Sequence, residues 1–370
     1  MIRRFISYMK GVYRGDHAYM NDRFNWFLYK SIDFLKNLVY SKKESINLKN
    51  DTIEISVSKI NLCVDKSSFS LDDFLENKFY WPSIINDLPD ITISDDDELY
   101  NQIKINGFKS QEQLNNNSKN DEIMTIINSK GQYILINGYR RLMIAKNLKI
   151  DTIPARVVKR HKNWIKFKIR VKKEEHQSGV YQQVLHPDFE DIKFHRKGEA
   201  RWSLIANSLP INAGAVLDIG SNWGYFSHKF EDMGFQCTAV ERNYKCNYFL
   251  KKFKEIERKN FDIYNGSIFK IPKMNYDIVL ALSIFHGFIR NKSAYDKMTD
   301  LLSKLEMKYM FFEPHKGDEV DDGFYVNYNP EQFVEYIIEN SCLNHYEYLG
   351  ESTRQRKLFL LSKEKINARN

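Results

Sequence analysis

The stretch Gly214 to Ser227, reading Gly-Ala-Val-Leu-Asp-Ile-Gly-Ser-Asn-Trp-Gly-Tyr-Phe-Ser, constrains the fold more than any other part of this chain. An apolar run, Ala215 to Leu217, leads into Asp218; Gly220 and Gly224 then fall at a tight turn, and a helix-patterned segment follows. A strand, a glycine turn and a helix N-terminus together bring backbone amides close to a nucleotide-like ligand, although many α/β folds use the same turn merely to change direction. A second apolar strand, Thr238 to Val240, ends in Glu241, 23 residues beyond Asp218. That is close to the spacing at which an acid at a strand end accepts hydrogen bonds from ribose hydroxyls. Further strands are predicted at Phe261 to Ser267, Tyr276 to Ile284 and Lys308 to Glu313, with helices around Tyr248 to Arg258 and Ala294 to Leu305. The alternation makes this half α/β with a mostly parallel sheet.

These residues resemble the class I S-adenosylmethionine-dependent methyltransferases over roughly Tyr181 to Lys363. Asp218, Gly220 and Gly224 match the family's Asp-x-Gly-x-Gly-x-Gly loop, which implies contact with the methionine part of the cofactor. Asn222 stands at the middle glycine, and asparagine tolerates left-handed backbone angles better than most residues. By the same resemblance Glu241 is the ribose-binding acid, Ser267 and Ile268 bracket the adenine without the family's usual acid there, and Leu282 lies on the cofactor side of the fourth strand. Tyr346 to Leu349 and Lys357 to Leu361 resemble the antiparallel hairpin that closes this Rossmann-like sheet.

Chemistry is expected beyond the carboxyl ends of the strands. There the sequence reads Leu282-Ser-Ile-Phe-His286 after the fourth strand and Phe312-Glu-Pro-His315 after the fifth. Methyl transfer to a hydroxyl needs in-line alignment and a proton acceptor, and histidine suits that task near neutrality. His286 is the first candidate base; the alternative is that it packs over the cofactor or caps the next helix. Glu313 and His315 either orient the base and hold substrate or belong to a solvated strand end. The three residue types also suit zinc or iron, but with no cysteine pair and no His-x-x-x-His spacing, no metal is expected.

Upstream, Tyr181-Gln-Gln-Val-Leu-His-Pro-Asp188 and Arg196 to Trp202 form a polar, aromatic lead-in. Tyr181, Arg196 and Arg201 are candidates for the substrate pocket, the alternative being a surface helix with Arg201 exposed.

The earlier half contains a second strand, turn and helix: Gln132-Tyr-Ile-Leu-Ile-Asn-Gly-Tyr-Arg-Arg-Leu, then a strand through Ile153-Pro-Ala-Arg-Val-Val. With a strand from Ile53 to Ile60 and a helix from Glu98 to Asn106, residues 50 to 160 resemble the ParB/sulfiredoxin-like fold, a small α+β domain. The resemblance implies that Gly138, Arg140 and Arg141 meet phosphate, a nucleotide being one source of it; a helix N-terminus carrying guanidiniums suits an anion. The alternative is a degenerate domain whose arginines bind acidic neighbours. No cysteine lies beside Gly138 to Arg141, which disfavours the family's reductase chemistry.

The expected organisation is a basic aromatic helical segment over 1–50, the ParB-like domain over 51–160, a basic linker over 161–180 and the methyltransferase domain over 181–370. Residues 1–50 hold ten Lys or Arg against four Asp or Glu, and the whole chain carries a formal charge of +8. Such a segment suits an anionic membrane surface or a nucleic acid, or else forms an extra helical layer with a solvated basic face. In Lys159 to Lys173, Trp164, Ile165, Phe167, Ile169 and Val171 alternate among Lys and Arg, which suggests a half-buried strand, with a helix as the alternative, that contacts phosphates or covers a seam between domains. Four scattered cysteines, Cys63, Cys237, Cys246 and Cys342, point to reduced thiols and a cytoplasmic address. Neither a leader peptide nor an apolar run of about 18 residues is read.

Motifs that are missing narrow the acceptor. There is no Asn-Pro-Pro-Tyr or Asp-Pro-Pro-Tyr after the fourth strand and no Pro-Cys nucleophile. Methylation of base amines and of cytosine carbon is therefore disfavoured. A sugar, glycan or small-molecule hydroxyl is the preferred acceptor, and RNA or DNA gripped by the basic segments is the alternative.

Overall fold

The computed structural model describes residues 52–56, 60–61, 98–108, 123–176, 179–316, 323–352 and 355–366. The basic segment 1–50, Cys63 and the Asn-rich stretch 115–120 lie outside the described residues. Within Thr52–Asn370, which forms one compact unit, the chain builds two large sheets and one small one.

The first sheet contains β1 (Thr52–Ser56), β2 (Ile60–Asn61), β3 (Met124–Ile127), β4 (Tyr133–Asn137) and β5 (Thr152–Arg160), accompanied by helices α1 (Glu98–Asn106) and α2 (Tyr139–Asn147). Its order is β1-β5-β3-β4-β2. The single strand expected over Ile53 to Ile60 is thus two strands on opposite edges of the sheet: β1 pairs antiparallel with β5, and β2 pairs parallel with β4.

Helix α3 (Lys162–Lys172) follows β5 directly and corrects the strand reading of Lys159 to Lys173. The His161 imidazole accepts a hydrogen bond from the Asn163 amide at 3.1 Å and caps the helix. Trp164 and Val171 are buried and Phe167 packs beside them, so the inward face follows i, i+3, i+7 spacing. Ile169, needed inside for an alternating strand, is 37% exposed. Two periodicities were superposed in one sequence, and only the helical one is buried.

A three-stranded sheet of β6 (Glu175–His176), β7 (Gly179–Gln182) and β8 (Phe194–Arg196) leads through α4 (Glu199–Asn207) into the last sheet. That sheet comprises β9 (Ala215–Ile219), β10 (Gln236–Glu241), β11 (Asp262–Asn265), β12 (Asn275–Leu282), β13 (Glu306–Glu313), β14 (His345–Glu351) and β15 (Lys357–Ser362). The helices α5 (Tyr225–Asp232), α6 (Tyr244–Ile256), α7 (Lys292–Lys304) and α8 (Pro330–Glu339) cover it. The order is β11-β10-β9-β12-β13-β15-β14, with β9 to β13 parallel and β15 antiparallel to both its neighbours. This is a Rossmann-like mixed sheet whose order reverses between β9 and β12 and whose last position is taken by a hairpin.

Adjacent residues along the central strands enter different cores. Leu217, Val279 and Phe312 join Phe333 and Ile337 of α8, whereas Val216, Ile278 and Phe311 join Phe230 of α5. Both faces are covered, so the strands read as continuous apolar runs rather than alternating ones. The outer strand β14 carries half-exposed Tyr346 and Tyr348 and charged neighbours, which blunt the free edge.

Candidate functional site

At the reversal of strand order the carboxyl ends of β9, β10 and β12 surround a cavity of about 230 Å³. Its floor is the β9–α5 turn. Gly220 (φ 73°), Asn222 (φ 53°) and Gly224 (φ 86°) all adopt left-handed backbone, the conformation that glycine and asparagine tolerate best. A Cβ on Gly220 would lie 2.9 Å from Ile284 Cδ1 across the cavity wall, so the missing side chain keeps this wall open.

Asp218 is buried under the turn, and its Oδ2 accepts from Ser227 Oγ at 2.7 Å. Burial pushes its pKa up to about 6, against the lowering effect of the Ser227 hydrogen bonds. Glu241 ends β10. Its Oε2 accepts from the Asn222 amide at 3.0 Å and its Oε1 from the Asn243 amide at 2.7 Å. A carboxylate has about four acceptor positions, so two remain for a ligand's hydroxyls. Ser267, Ile268 and Leu282 complete the lining with Ser283, Ile284 and Phe288. The cofactor candidates Asp218, Gly220, Asn222, Glu241, Ser267, Ile268 and Leu282 are thus brought to one cavity; Gly224 stands behind it as the α5 cap.

The opposite wall is made by Tyr181, Arg196 and Arg201. The Arg196 guanidinium lies 5.1 Å from the centre of the Tyr181 ring, which is 44% exposed. Arg201 is only 6% exposed, which overturns the surface-helix alternative. Its Nε lies 3.0 Å from Glu313 Oε2, and its guanidinium sits over the Phe226 ring.

Glu313 is fully buried at the end of β13, so the solvated strand end is also corrected. Ser283 Oγ and Ser352 Oγ donate to its two oxygens, and Arg356 Nη1 donates to Ser283 Oγ at 2.7 Å. This ion pair joins α4, β12, β13 and the β14–β15 hairpin. His286 is half-buried in the short turn Phe285–Gly287 after β12 and lies outside the cavity lining. His315 is buried, its ring centre 6.5 Å from that of His286 and 6.0 Å from that of Phe333. The structure therefore places the two histidines next to each other at the strand ends. Among the described residues no group of three or more His, Cys, Asp or Glu side chains is gathered as metal ligands.

Gly138, Arg140 and Arg141 lie at the start of helix α2, after β4 of the other large sheet, and are not among the residues lining this cavity. Gly138 (φ 90°) opens α2, with Arg140 exposed and Arg141 buried. Of the basic stretch 159–173, Arg160 and Lys168 form ion pairs with Asp188 and Asp191, and Arg170 stacks 3.9 Å from the Tyr248 ring centre. No helix among the described residues is long and apolar enough to cross a membrane.

Several residues of the site carried no readable signal. Gln182 Oε1 accepts from the Trp223 amide at 2.7 Å across 41 positions of sequence. Ser227 and Ser283 are recognisable only once the strand ends have been brought together.

No protein-family model matches the sequence, and no curated protein matches it. Among solved structures the chain is similar to the bifunctional kinase-methyltransferase WbdD, at 20% identity and a TM-score of 0.44 over 53% of this chain and 46% of that one. The methyltransferase domain of bacterial CtHen1-CN gives 14% identity and 0.36, covering 45% and 98%. TehB from Haemophilus influenzae gives 17% identity and 0.36, covering 44% and 62%. The chain spans less than half the length of WbdD.

Proposed function

We propose that this chain is an S-adenosylmethionine-dependent methyltransferase acting on an oxygen of a sugar, glycan or small molecule. The observation that carries the reading is the cavity at the strand reversal, where a glycine-rich turn faces an acid that ends the neighbouring strand. The residues fit the cofactor: Gly220 supplies a cradle that a Cβ would fill, and Glu241 keeps acceptor positions for ribose hydroxyls. Ser267 and Ile268 stand where the adenine would lie, and Asp218 fixes the turn from below through Ser227. The cofactor when bound supplies an electrophilic methyl on a sulfonium.

The rest of the work falls to the chain's own side chains. The half-buried apolar side chains of Leu282, Ile284 and Phe288 along one wall would shield the reacting groups from water once the cofactor fills the cavity. Tyr181 and Arg196 on the facing wall would hold and orient the acceptor. His286, beside His315, is the proposed proton acceptor for a hydroxyl nucleophile. The Arg201–Glu313 pair holds the facing wall onto the sheet and makes Glu313 a positioning residue rather than a base. At the start of α2, Gly138, Arg140 and Arg141 are proposed to bind a phosphate-bearing ligand, as the ParB-like reading implies.

Labelled-methyl transfer from S-adenosylmethionine, screened against glycans, small metabolites and RNA with the full chain, tests the reading. Transfer to a hydroxyl compound that His286→Ala reduces at least tenfold supports it. Transfer to RNA alone would favour the nucleic-acid alternative. The absence of S-adenosylhomocysteine binding would remove the enzyme reading altogether.

A further inference from the structure

The glycine-rich turn contains a tryptophan whose position is unlike that of its neighbours. Trp223 sits between Asn222 and Gly224, both in left-handed backbone, yet its ring is only 5% exposed. It points away from the cavity and into a core shared between α6 and the other large sheet. Its ring centre is 4.6 Å from that of Phe249 and 5.6 Å from that of Phe253, both on α6. Phe167 of α3 packs on the same two rings, at 6.2 and 5.6 Å, and Phe189 lies 5.7 Å from Phe253. Ile127, Tyr133, Leu142 and Val157 of the five-stranded sheet and its helix α2 belong to this same apolar cluster.

Polar contacts run parallel to the apolar ones. Two successive amides of the turn have different owners: the Asn222 amide donates to Glu241, which faces the cavity, and the Trp223 amide donates to Gln182 of β7. The segment after β7 is fastened to the five-stranded sheet through Asp188, which is 2% exposed. Arg160 Nε, at the end of β5, donates to Asp188 Oδ1 at 2.7 Å, and Trp164 Nε1 donates to Oδ2 at 2.7 Å. His186, two residues away, hydrogen-bonds the Gly131 carbonyl at 2.8 Å and stacks on Tyr133. Lys245 of α6 forms a further ion pair, at 2.6 Å, with Glu174 in the turn just after α3.

We infer that Trp223, packed in the core shared with the five-stranded sheet, and Gln182, on the three-stranded sheet whose following segment is fastened to it, are positioning residues that set the shape of the cofactor turn, so that cofactor binding and the stability of the five-stranded sheet are thermodynamically linked. The inference rests on the cofactor reading proposed above. A tightly packed core transmits displacement instead of absorbing it, so a shift of the Trp223 ring must move the Asn222 amide and, with it, Glu241. Linkage is reciprocal: if an ordered sheet favours the cofactor-binding form of the turn, the bound cofactor must favour the ordered sheet by the same factor. A ligand that stabilises the five-stranded sheet would then raise cofactor affinity from outside the cavity.

Hydrogen exchange of the full chain, with and without saturating S-adenosylhomocysteine, tests this together with calorimetric binding to Trp223→Leu and Trp223→Phe. The expected result is slower exchange in residues 123–160 as well as in the turn, affinity weakened roughly fivefold to tenfold by Trp223→Leu, and most of it restored in Trp223→Phe. Slower exchange confined to residues 214–286, with wild-type affinity in Trp223→Leu, would overturn the linkage and leave the cofactor reading standing. If Trp223→Leu does not fold, the exchange pattern of the unaltered chain decides alone. A wild-type chain that binds no S-adenosylhomocysteine would overturn both.

Discussion

Two turns in this protein have nearly the same backbone. Gly138 opens α2 at φ 90°, ψ 26°, and Gly224 opens α5 at φ 86°, ψ 23°; each follows a strand, and neither helix has a side-chain cap at that end. Their surroundings differ. Behind Gly224 lie two carboxylates, Asp218 and Glu241, and the turn continues into a cavity between strand ends. After Gly138 come two arginines, one exposed and one buried. The backbone supplies the same partial positive charge at both helix starts, so on the function proposed above the side chains would decide what each receives: a neutral or cationic group with hydroxyls at one, an anion at the other.

Substitutions at the two turns and in the wall of the first site should affect them differently. Arg201→Met leaves Glu313 buried without its cation and should destabilise the fold by about 3 kcal/mol, read as a lower denaturant midpoint; an unchanged midpoint would mean that the pair is not what holds α4 to the sheet. Glu241→Ala should weaken S-adenosylhomocysteine binding roughly a hundredfold, about 3 kcal/mol for charged hydrogen bonds, in calorimetry. Arg140→Ala should leave that affinity as it was, and an equal loss in both variants would erase the distinction between the turns.

Gly220→Ala and Gly138→Ala each force a Cβ into left-handed backbone, at about 1 to 2 kcal/mol, so both should lower the melting temperature. Only Gly220→Ala also narrows the cavity against Ile284, and it alone should reduce cofactor affinity beyond what its stability loss explains.

The smallest effect concerns protons. The Asp218 pKa is raised from its usual 3.8 to about 6 by burial, so the folded chain binds more protons than the unfolded chain between those values. Stability therefore falls as pH rises from about 4 to 6 and stays reduced above. Asp218→Asn should remove that slope and raise the melting temperature at pH 7 while losing cofactor affinity. A melting curve whose pH slope survives the substitution would assign the slope to another group.

Much of the seven-stranded sheet was legible because its signals are local. The apolar run before Asp218, the acid at Glu241 and the polar turn before Lys357 each identify an element within a few residues, and the strands lie where those runs are. The alternation in Lys159 to Lys173 misled because lysines and apolar residues met both strand and helix spacing; burial of Trp164 and Val171 against a partner sheet selected the helix. The alternatives that put Glu313 and Arg201 in solvent stood open in the sequence because nothing near either announces the other, more than a hundred positions away. The same holds for Gln182 and the Trp223 amide. Contacts of that kind are set by topology, and a single sequence does not print them.

On the proposed function the β9–α5 turn and Glu241 together hold S-adenosylmethionine. Calorimetric titration of the full chain with S-adenosylhomocysteine, repeated on Glu241→Ala, tests it most directly. Saturable one-site binding in the micromolar range, weakened about a hundredfold in the variant, is the expected result; a flat titration of the unaltered chain at millimolar ligand, or an affinity unchanged by the loss of Glu241, would contradict it.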